Sequence, residues 1–142
     1  MHVSIYTDGG SRGNPGPSGF GVVIYDESKN IIAKISHFIG VKTNNEAEYS
    51  ALNEALVWLK DNQQKLNIDS VDFYSDSQLL VRQMQGKYKV KAPTIVPLYR
   101  LATSLLLELK LDYKFHEILR ELNSEADSLA NQAMDRKIWI TT

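Results

Sequence analysis

Four carboxylates stand at points where the sequence pattern changes from one kind of element to another. Asp8 and Asp76 each end a short alternating run, whereas Glu48 and Asp127 fall in the first turns of two predicted helices. Each has an ordinary structural explanation. Asp8 can form a turn, Asp76 can cap a helix, and Asp127 can complete a capping box with Ser124.

Helix phase separates the two glutamates of the segment TNNEAEYSAL. At about 100° per residue, Glu48 projects toward the middle of an apolar stripe, and Glu46 lies roughly 160° away, on the solvent side. The stripe consists of Ala51, Leu52, Ala55, Leu56 and Leu59. Glu48 also stands three residues after Asn45, which can cap the helix. A carboxylate that faces the interior is expensive unless it is paired, protonated or bound to metal.

Convergence of the four carboxylates on one rim of a sheet would suggest a specific chemistry. Such anions repel one another and shift one another's pKa values, and divalent metal is the usual remedy. Oxygen ligands without cysteine suit the hard cations Mg²⁺ and Mn²⁺. Two such ions about 3.5 to 4 Å apart can clamp the attacking water and the leaving oxygen of a phosphodiester. A converging set therefore indicates a nuclease or a phosphatase.

The elements that must position these residues follow from the periodicity of apolar side chains. Alternation predicts strands and a 3.6-residue period predicts amphipathic helices. Strands are expected at 2–8, at two runs within 20–40 and at 71–76 and 111–118, and helices at 44–61, 77–85, from 94 to 109 and from 123 to 134. This order predicts an α/β fold with a mixed five-stranded sheet. An antiparallel meander is joined by parallel strands, and helices cover both faces.

Length and composition limit the class of protein. The 142 residues are enough for one domain, and 43% hydrophobic and 23% charged residues are typical of an ordinary globular protein. The absence of cysteine excludes disulfides, thiolate catalysis and cysteine-based zinc sites. No segment has the pattern of a signal peptide or a membrane span, so we expect a cytoplasmic protein without a membrane partner.

Two further segments keep alternative interpretations. GKYKVK (86–91) places three lysines within five residues, either as a solvated loop or as a patch that contacts phosphates. The net charge of −1 argues against a strong global attraction to nucleic acid, so clustering matters more than total charge. The segment IWI (138–140) is interpreted as a tail docked on the surface, as an extension of the last helix, or as a peg for a partner.

Four motifs together resemble the type 1 ribonuclease H family in its compact form. They are YTDGGSRGNPGPSGFG (6–21), TNNEAEYSAL (43–52), YSDSQLL (74–80) and NSEADSLAN (123–131), and they occur in the family's order over nearly the whole chain. The resemblance implies a single ribonuclease H domain over residues 1–142, acting as a monomer. It also implies hydrolysis of the RNA strand of RNA/DNA hybrids with two metal ions, Mg²⁺ or Mn²⁺, leaving 3′-hydroxyl and 5′-phosphate ends. Double-stranded RNA is a further expected substrate, and a non-catalytic hybrid-binding module on the same fold is the alternative.

The resemblance assigns both catalysis and metal binding to Asp8, Glu48, Asp76 and Asp127. Asp8 would bridge both ions. Glu48 and Asp76 would serve the ion that activates or positions water, and Asp127 would serve the other ion. The family pattern and the helix phase therefore agree on Glu48 over Glu46.

The same resemblance implies contacts with the hybrid by Asn14, Asn45 and Gln78. Amide side chains can reach the 2′-hydroxyl groups by which a protein distinguishes RNA from DNA. The ordinary alternatives are a turn for Asn14, a helix cap for Asn45 and an exposed helical residue for Gln78. Thr43 and Asn44 are candidates for a phosphate pocket at the helix N-terminus, where free N–H groups attract anions.

The chain departs from the family pattern at two places. It lacks the lysine-rich extra helix of many members, so only Lys87, Lys89 and Lys91 are left to bind the DNA strand. The affinity for the hybrid should therefore be weaker than in those members and should depend strongly on salt. The loop ILRELNSEAD (118–127) contains no histidine. In several family members this loop supplies a mobile histidine that assists proton transfer or product release. Arg120 is the candidate for that role here, since a guanidinium can hold a phosphate bidentately, and His116 is expected to be structural.

Overall fold

The computed structural model describes residues 1–142 as a single mixed sheet with helices on both faces. The strands are β1 (His2–Ser11), β2 (Gly16–Tyr25), β3 (Ile31–Lys42), β4 (Ser70–Ser75), β5 (Asp112–Glu117) and β6 (Trp139–Thr141). The helices are α1 (Asn44–Leu66), α2 (Gln78–Met84), α3 (Val96–Leu109) and α4 (Ser124–Arg136), with a 3₁₀ turn at Arg120–Leu122.

The sheet has the strand order β5-β4-β1-β2-β3-β6. Strands β1, β2 and β3 form an antiparallel meander, and β4 and β5 continue the sheet in parallel with β1. The predicted fold class is confirmed, whereas the predicted number of five strands is wrong by one, because the C-terminal segment adds β6 antiparallel to β3. The parallel pairing of β1 with β4 ends at Thr7 and Ser75, and the next residues, Asp8 and Asp76, lie side by side at this edge of the sheet.

The two faces of the sheet are covered unequally. Helices α1 and α3 pack on one face over the main core, to which β1, β2, β4 and β5 all contribute large apolar side chains. Helix α4 covers β1, β2 and β3 on the other face with small side chains, the buried Ala126, Ala130 and Ala133. Because small residues allow close approach, α4 lies nearer to the sheet than a leucine-rich helix could.

Helix α1 is longer than its apolar stripe predicts. The stripe ends at Leu59, but the helix continues to Leu66 and ends at Asn67, which adopts the left-handed conformation common at helix C-termini. The extra turns contain good helix formers, and Gln63 Nε2 donates a hydrogen bond to the Leu109 carbonyl of α3 at 2.9 Å. No helix of the chain combines the length and apolar character that a membrane crossing needs.

The segment predicted as a docked tail or a helix extension forms β6 at the edge of the sheet. Trp139 pairs with His37 of β3, and their rings stack with centroids 3.6 Å apart. Thr141 Oγ1 lies 3.0 Å from His37 Nε2. His37 is only 1% exposed, and this burial lowers its pKa to about 4. The tail therefore seals a buried histidine that β3 alone would leave at an open edge.

Substitution of Trp139 tests this sealing role. Trp139→Ala should lower the free energy of unfolding by about 1 kcal/mol, since it removes an aromatic contact, and His37 should regain water. The pKa of His37, followed by NMR, should then rise from about 4 toward 6.5. Ile140→Ala, on the other face of the same strand, is the matched control. An unchanged His37 pKa in Trp139→Ala would contradict the assignment.

Candidate active site

Asp8 lies inside strand β1, which continues to Ser11. The glycine-rich residues after Asp8 pair with β2 in regular register, with Asp8 opposite Gly21 and Ser11 opposite Ser18. The prediction that the strand ends at Asp8 is therefore wrong. Pairing with β2 outweighs the low strand propensity of the glycines, and propensity alone could not show this.

Gly9 allows the first turns of α1 to lie directly on β1. A Cβ atom at Gly9 would lie 2.4 Å from the carbonyl carbon of Ala47 and 2.5 Å from the nitrogen of Glu48. No residue with a side chain fits this space. The helix backbone therefore rests against the strand backbone, and this contact brings the Glu48 side chain to Asp8.

Gly21 has the same effect for α4. A Cβ atom there would lie 2.3 Å from the Ala126 oxygen and 2.6 Å from the Leu129 Cβ. Because Gly21 is the cross-strand partner of Asp8, the two residues point to the same face of the sheet. The first turn of α4, with Asp127, is thus placed beside Asp8.

The carboxylates of Asp8, Glu48 and Asp76 form the centre of the site. One oxygen from each lies within 4.8 Å of the other two. Asp127 lines the same cleft and stands close enough to Asp8 to raise its pKa. The structure thus brings together the four residues that the sequence singles out, and Glu48 is only 8% exposed, as the helix phase predicts.

Burial and mutual repulsion perturb these carboxyl groups. Burial, and after it the neighbouring Asp76 and Asp127, raise the pKa of Asp8 from 3.8 to about 8. Burial, followed by the charges of Asp8 and Asp76, raises the pKa of Glu48 well above its usual range, although the Gly9 N–H acts in the opposite direction. A positive charge bound between these carboxylates would therefore stabilise their ionised forms.

The donor set fits a hard divalent cation. Glu48 Oε1 is buried and has no hydrogen-bond partner, so one coordination position is already desolvated and unused. Carboxylate oxygens are the ligands that Mg²⁺ and Mn²⁺ prefer. A basic group at the cleft is the Arg120 guanidinium, whose Nη2 lies 3.9 Å from Asp127 Oδ1 and whose side chain is 80% exposed. One exposed arginine at the rim cannot neutralise three converging anions.

Asn123 is a part of the site that the sequence pattern does not reveal. Its Nδ2 donates to the Thr7 carbonyl at 2.9 Å and to Asp76 Oδ1 at 3.4 Å, and the residue is 1% exposed. Its own carbonyl accepts the N–H of Asp127. Asn123 therefore ties two of the carboxylates to β1. An asparagine just before a predicted helix is a weak signal, because it is expected of any N-cap.

The predicted caps of the two carboxylate-bearing helices need correction. Asn123 is the N-cap residue of α4 and its side chain makes no capping bond, so the predicted Ser124–Asp127 capping box does not form. Ser77, rather than Asp76, caps α2. The side chains of Asp76 and Asp127 therefore do not cap a helix.

Thr43, rather than Asn45, caps α1. The Glu46 N–H donates to Thr43 Oγ1 at 3.2 Å, and the Glu46 side chain accepts from the Thr43 N–H at 3.1 Å. This is a complete capping box. Glu46 thus has a structural task beyond the solvent-facing position that the helix phase predicts, and Thr43 is engaged in the cap, which competes with its predicted contact to phosphate.

Asn14 and Asn44 join the loop after β1 to the start of α1. Asn44 Oδ1 accepts from the Ser11 N–H at 2.8 Å, and Asn14 Oδ1 accepts from the Asn44 N–H at 3.0 Å. The phosphate pocket predicted at this helix end loses one of its N–H donors to Asn14. The amide NH₂ groups of both asparagines remain as donors at the rim of the cleft.

The other predicted substrate contacts are exposed and do not line the cleft itself. Asn45 and Gln78 lie in the first turns of α1 and α2, and Lys87, Lys89 and Lys91 lie on the exposed loop between α2 and α3. None of the three lysines forms a salt bridge. Their ammonium groups are therefore available to a ligand.

Arg12 also lines the cleft and was not predicted. Its guanidinium lies 2.8 Å from Asp135 Oδ1 and donates to Asn131 Oδ1 at 3.0 Å, so α4 holds it at the rim. His116, by contrast, lies in β5 with its Nε2 2.7 Å from Asp72 Oδ1, and it does not line the cleft. This position agrees with the structural role expected for His116.

Comparison with known proteins places this geometry in a family context. The family described as reverse transcriptase-like matches residues 6–133. The bifunctional protein Rv2228c of Mycobacterium tuberculosis is 41% identical over 137 residues, which are 95% of this chain and 36% of that protein. Ribonuclease HI of Halobacterium salinarum is 37% identical over 94% of this chain and 64% of its own length. The chain therefore spans about a third to two thirds of these curated relatives.

A solved structure is similar over the whole fold. LC11-RNase H1 in complex with an RNA/DNA hybrid has 47% sequence identity and a TM-score of 0.90, with 95% of this chain and 98% of that chain covered. The similarity covers nearly the whole chain.

The raised pKa of Asp8 predicts how stability depends on pH when no metal is present. The folded protein retains the Asp8 proton up to about pH 8, whereas the unfolded chain releases it near 3.8, so stability falls as pH rises between these values. Asp8→Asn should remove part of this slope and should raise the melting temperature at pH 8 in EDTA. Adding Mg²⁺ should stabilise the wild type more than Asp8→Asn.

The control for this prediction is Asp112→Asn, which removes the same charge at the exposed start of β5, far from the cleft. Its melting temperature should follow that of the wild type across the pH range. Destabilisation of the metal-free protein by Asp8→Asn at pH 8 would refute the assigned repulsion.

Proposed function

The chain belongs to the type 1 ribonuclease H family, and we propose that it hydrolyses the RNA strand of RNA/DNA hybrids by two-metal-ion catalysis, leaving 3′-hydroxyl and 5′-phosphate ends. The observation that carries this proposal is the meeting of Asp8, Glu48 and Asp76, with Asp127 beside them, in one open cleft. The hybrid bound by the similar LC11-RNase H1 supports the choice of substrate.

In this proposal the four carboxylates hold Mg²⁺ or Mn²⁺. When bound, such ions supply an activated water and stabilise the charge on the leaving oxygen. Asn123 keeps Asp76 oriented through its Nδ2, and the backbone contacts at Gly9 and Gly21 keep Glu48 and Asp127 in place. The chain's contribution to catalysis is thus a rigid and desolvated set of oxygen ligands.

Substrate recognition is assigned to the polar rim. The amides of Asn14, Asn44, Asn45 and Gln78 surround the start of α1 and α2 and can donate to 2′-hydroxyls of the RNA strand. Arg120 is exposed at the cleft and lies 3.9 Å from Asp127. Its guanidinium can leave Asp127 and bind a phosphate of the substrate. We further propose that the chain acts as a monomer and accepts double-stranded RNA more weakly than the hybrid.

A non-catalytic hybrid-binding module is the alternative function. A binder gains nothing from buried anions that repel both one another and the phosphates of its ligand. Glu48 Oε1 is buried without a hydrogen-bond partner, which a binding module would not need and a metal-dependent enzyme would use.

Cleavage assays with paired glutamate variants test the proposed function. End-labelled RNA/DNA hybrid, double-stranded RNA and double-stranded DNA are incubated with and without Mg²⁺. The wild type should cut the hybrid only with metal, and Asp8→Asn and Glu48→Gln should each lose at least about a hundredfold in rate, because metal-based charge stabilisation is worth several kcal/mol.

Glu46→Gln is the matched control, because glutamine preserves the capping box with Thr43 and removes one charge two residues from Glu48. It should retain nearly full activity. Loss of activity in Glu46→Gln with retention in Glu48→Gln would overturn the assignment. Metal-independent binding of the hybrid without any cleavage would favour the binding module.

Salt dependence tests the three loop lysines as phosphate contacts. The affinity for the hybrid, measured with the otherwise unchanged Asp8→Asn protein so that the hybrid is not cut, should fall steeply with KCl. Replacing Lys87, Lys89 and Lys91 by alanine should reduce the slope of log affinity against log salt by about 0.9 for each phosphate contact that is lost.

A second triple variant separates local contact from total charge. It removes three lysines that lie away from the cleft, in the last turns of α1 and in β5, namely Lys60, Lys65 and Lys114. Its slope should match that of the wild type. Equal slopes for both triple variants would show that the loop lysines make no specific contact.

A further inference from the structure

A buried hydrogen-bond chain runs beneath the loop that carries the three lysines. The Tyr49 hydroxyl donates to Gln83 Oε1 at 2.7 Å, and Gln83 Nε2 donates to the Lys89 carbonyl at 3.4 Å. Tyr49 is 1% exposed and Gln83 is 5% exposed. The chain thus connects helix α1, helix α2 and the backbone of the loop.

Packing alone does not require these polar groups. An apolar pair of similar size would fill the same space without the cost of desolvating a hydroxyl and an amide. A hydrogen-bonded pair differs from an apolar pair in that it fixes direction and register, because its partners have defined positions. The pair therefore restricts where the loop can lie relative to α1.

Other contacts hold the loop on both sides of Lys89. The Arg82 carbonyl accepts the N–H groups of Lys87 and Tyr88 at 2.8 and 3.2 Å. The Arg82 guanidinium lies 5.5 Å from the centre of the Tyr88 ring. Val90 packs against the main core, while the lysine side chains on either side of it remain exposed. The loop is thus anchored through its backbone and presents its charges outward.

The same helix supplies both the anchor and a buried carboxylate. Tyr49 follows Glu48 directly in α1, so a displacement of α1 at this point affects the loop and the cleft together. We propose that Tyr49 and Gln83 are positioning residues that hold the Lys87–Lys91 loop at a fixed distance from the carboxylate cleft, and so set the affinity for the nucleic-acid backbone. This inference rests on the proposed function.

Steady-state kinetics of Tyr49→Phe on the hybrid test the proposal. The substitution removes only the hydroxyl that donates to Gln83. KM should rise by about threefold to tenfold, as expected for one lost buried hydrogen bond, while kcat stays within about twofold of the wild type. Tyr99→Phe is the control, because Tyr99 packs against the same core and its hydroxyl takes no part in the Tyr49–Gln83–Lys89 hydrogen-bond chain. Its KM should be unchanged.

Coupling to the lysines separates a positioning role from a general loss of stability. In the background without Lys87, Lys89 and Lys91, Tyr49→Phe should have no further effect on KM, because the charges that it positions are gone. Tyr49→Phe alone leaves the buried amide of Gln83 without its partner and should lower the melting temperature. The double variant Tyr49→Phe/Gln83→Met removes both polar groups, so its melting temperature should return toward that of the wild type while KM stays high.

The outcomes are distinct. If the wild type does not cleave the hybrid at all, the proposed function fails and the inference fails with it. If the wild type cleaves but Tyr49→Phe has an unchanged KM, only the inference fails. A fall in kcat that persists in the background without the three lysines would also overturn it, since the effect would then lie in the cleft.

Discussion

The close approach of two helix backbones to strands β1 and β2 is the constraint on which the rest of the structure depends. At Gly9 and Gly21 there is no room for a Cβ atom, and the nearest atom at each position belongs to the backbone of α1 or α4. The two helices lie on opposite faces of the sheet, so Asp8 is approached from both. Any side chain at either glycine would push a helix away and would separate Glu48 or Asp127 from Asp8.

Such an arrangement opposes folding, and the main core must compensate for it. Burial of Asp8 and Glu48 raises the pKa of each, which means that the fold binds the uncharged forms better than the charged ones. The large apolar cluster under α1 and α3 consists of apolar side chains and tyrosines. The two most strongly perturbed carboxyl groups, Asp8 and Glu48, lie together at one edge of the sheet, where a cation can relieve their repulsion.

The parts of the fold that could be predicted from sequence are those governed by local periodicity. Alternation identified the strands, and the phase of α1 distinguished Glu48 from Glu46, because both depend on residues a few positions apart. Caps were harder: Thr43 and Asn45 are both good cap formers and each has a glutamate three residues later, so the local pattern does not decide between them. The box forms at Thr43, because Glu48 faces the cleft and Glu46 is left to pair with the cap.

Features that depend on distant partners were not predictable in this way. Strand β6 exists because β3 offers an open edge and His37 offers an aromatic face, and nothing near Trp139 in the sequence indicates either. The continuation of β1 through its glycines likewise depends on β2. Asn123 contacts Thr7 and Asp76, which are 116 and 47 residues away along the chain. Its role becomes visible only when the three segments are brought together.

Helix α1 connects these separate requirements. Its first turn is fixed by the capping box and by contact with Gly9, and from that fixed point Glu48 faces the cleft while Tyr49 faces Gln83. Because successive residues of a helix differ by about 100° in direction, one rigid element can serve both the carboxylate site and the lysine loop. A chain with a net charge of −1 has no general electrostatic attraction for nucleic acid. The position of its loop lysines relative to the cleft carboxylates must therefore be controlled. In a compact domain without an additional basic helix, that control is most simply provided by the helix that already carries one of the cleft carboxylates.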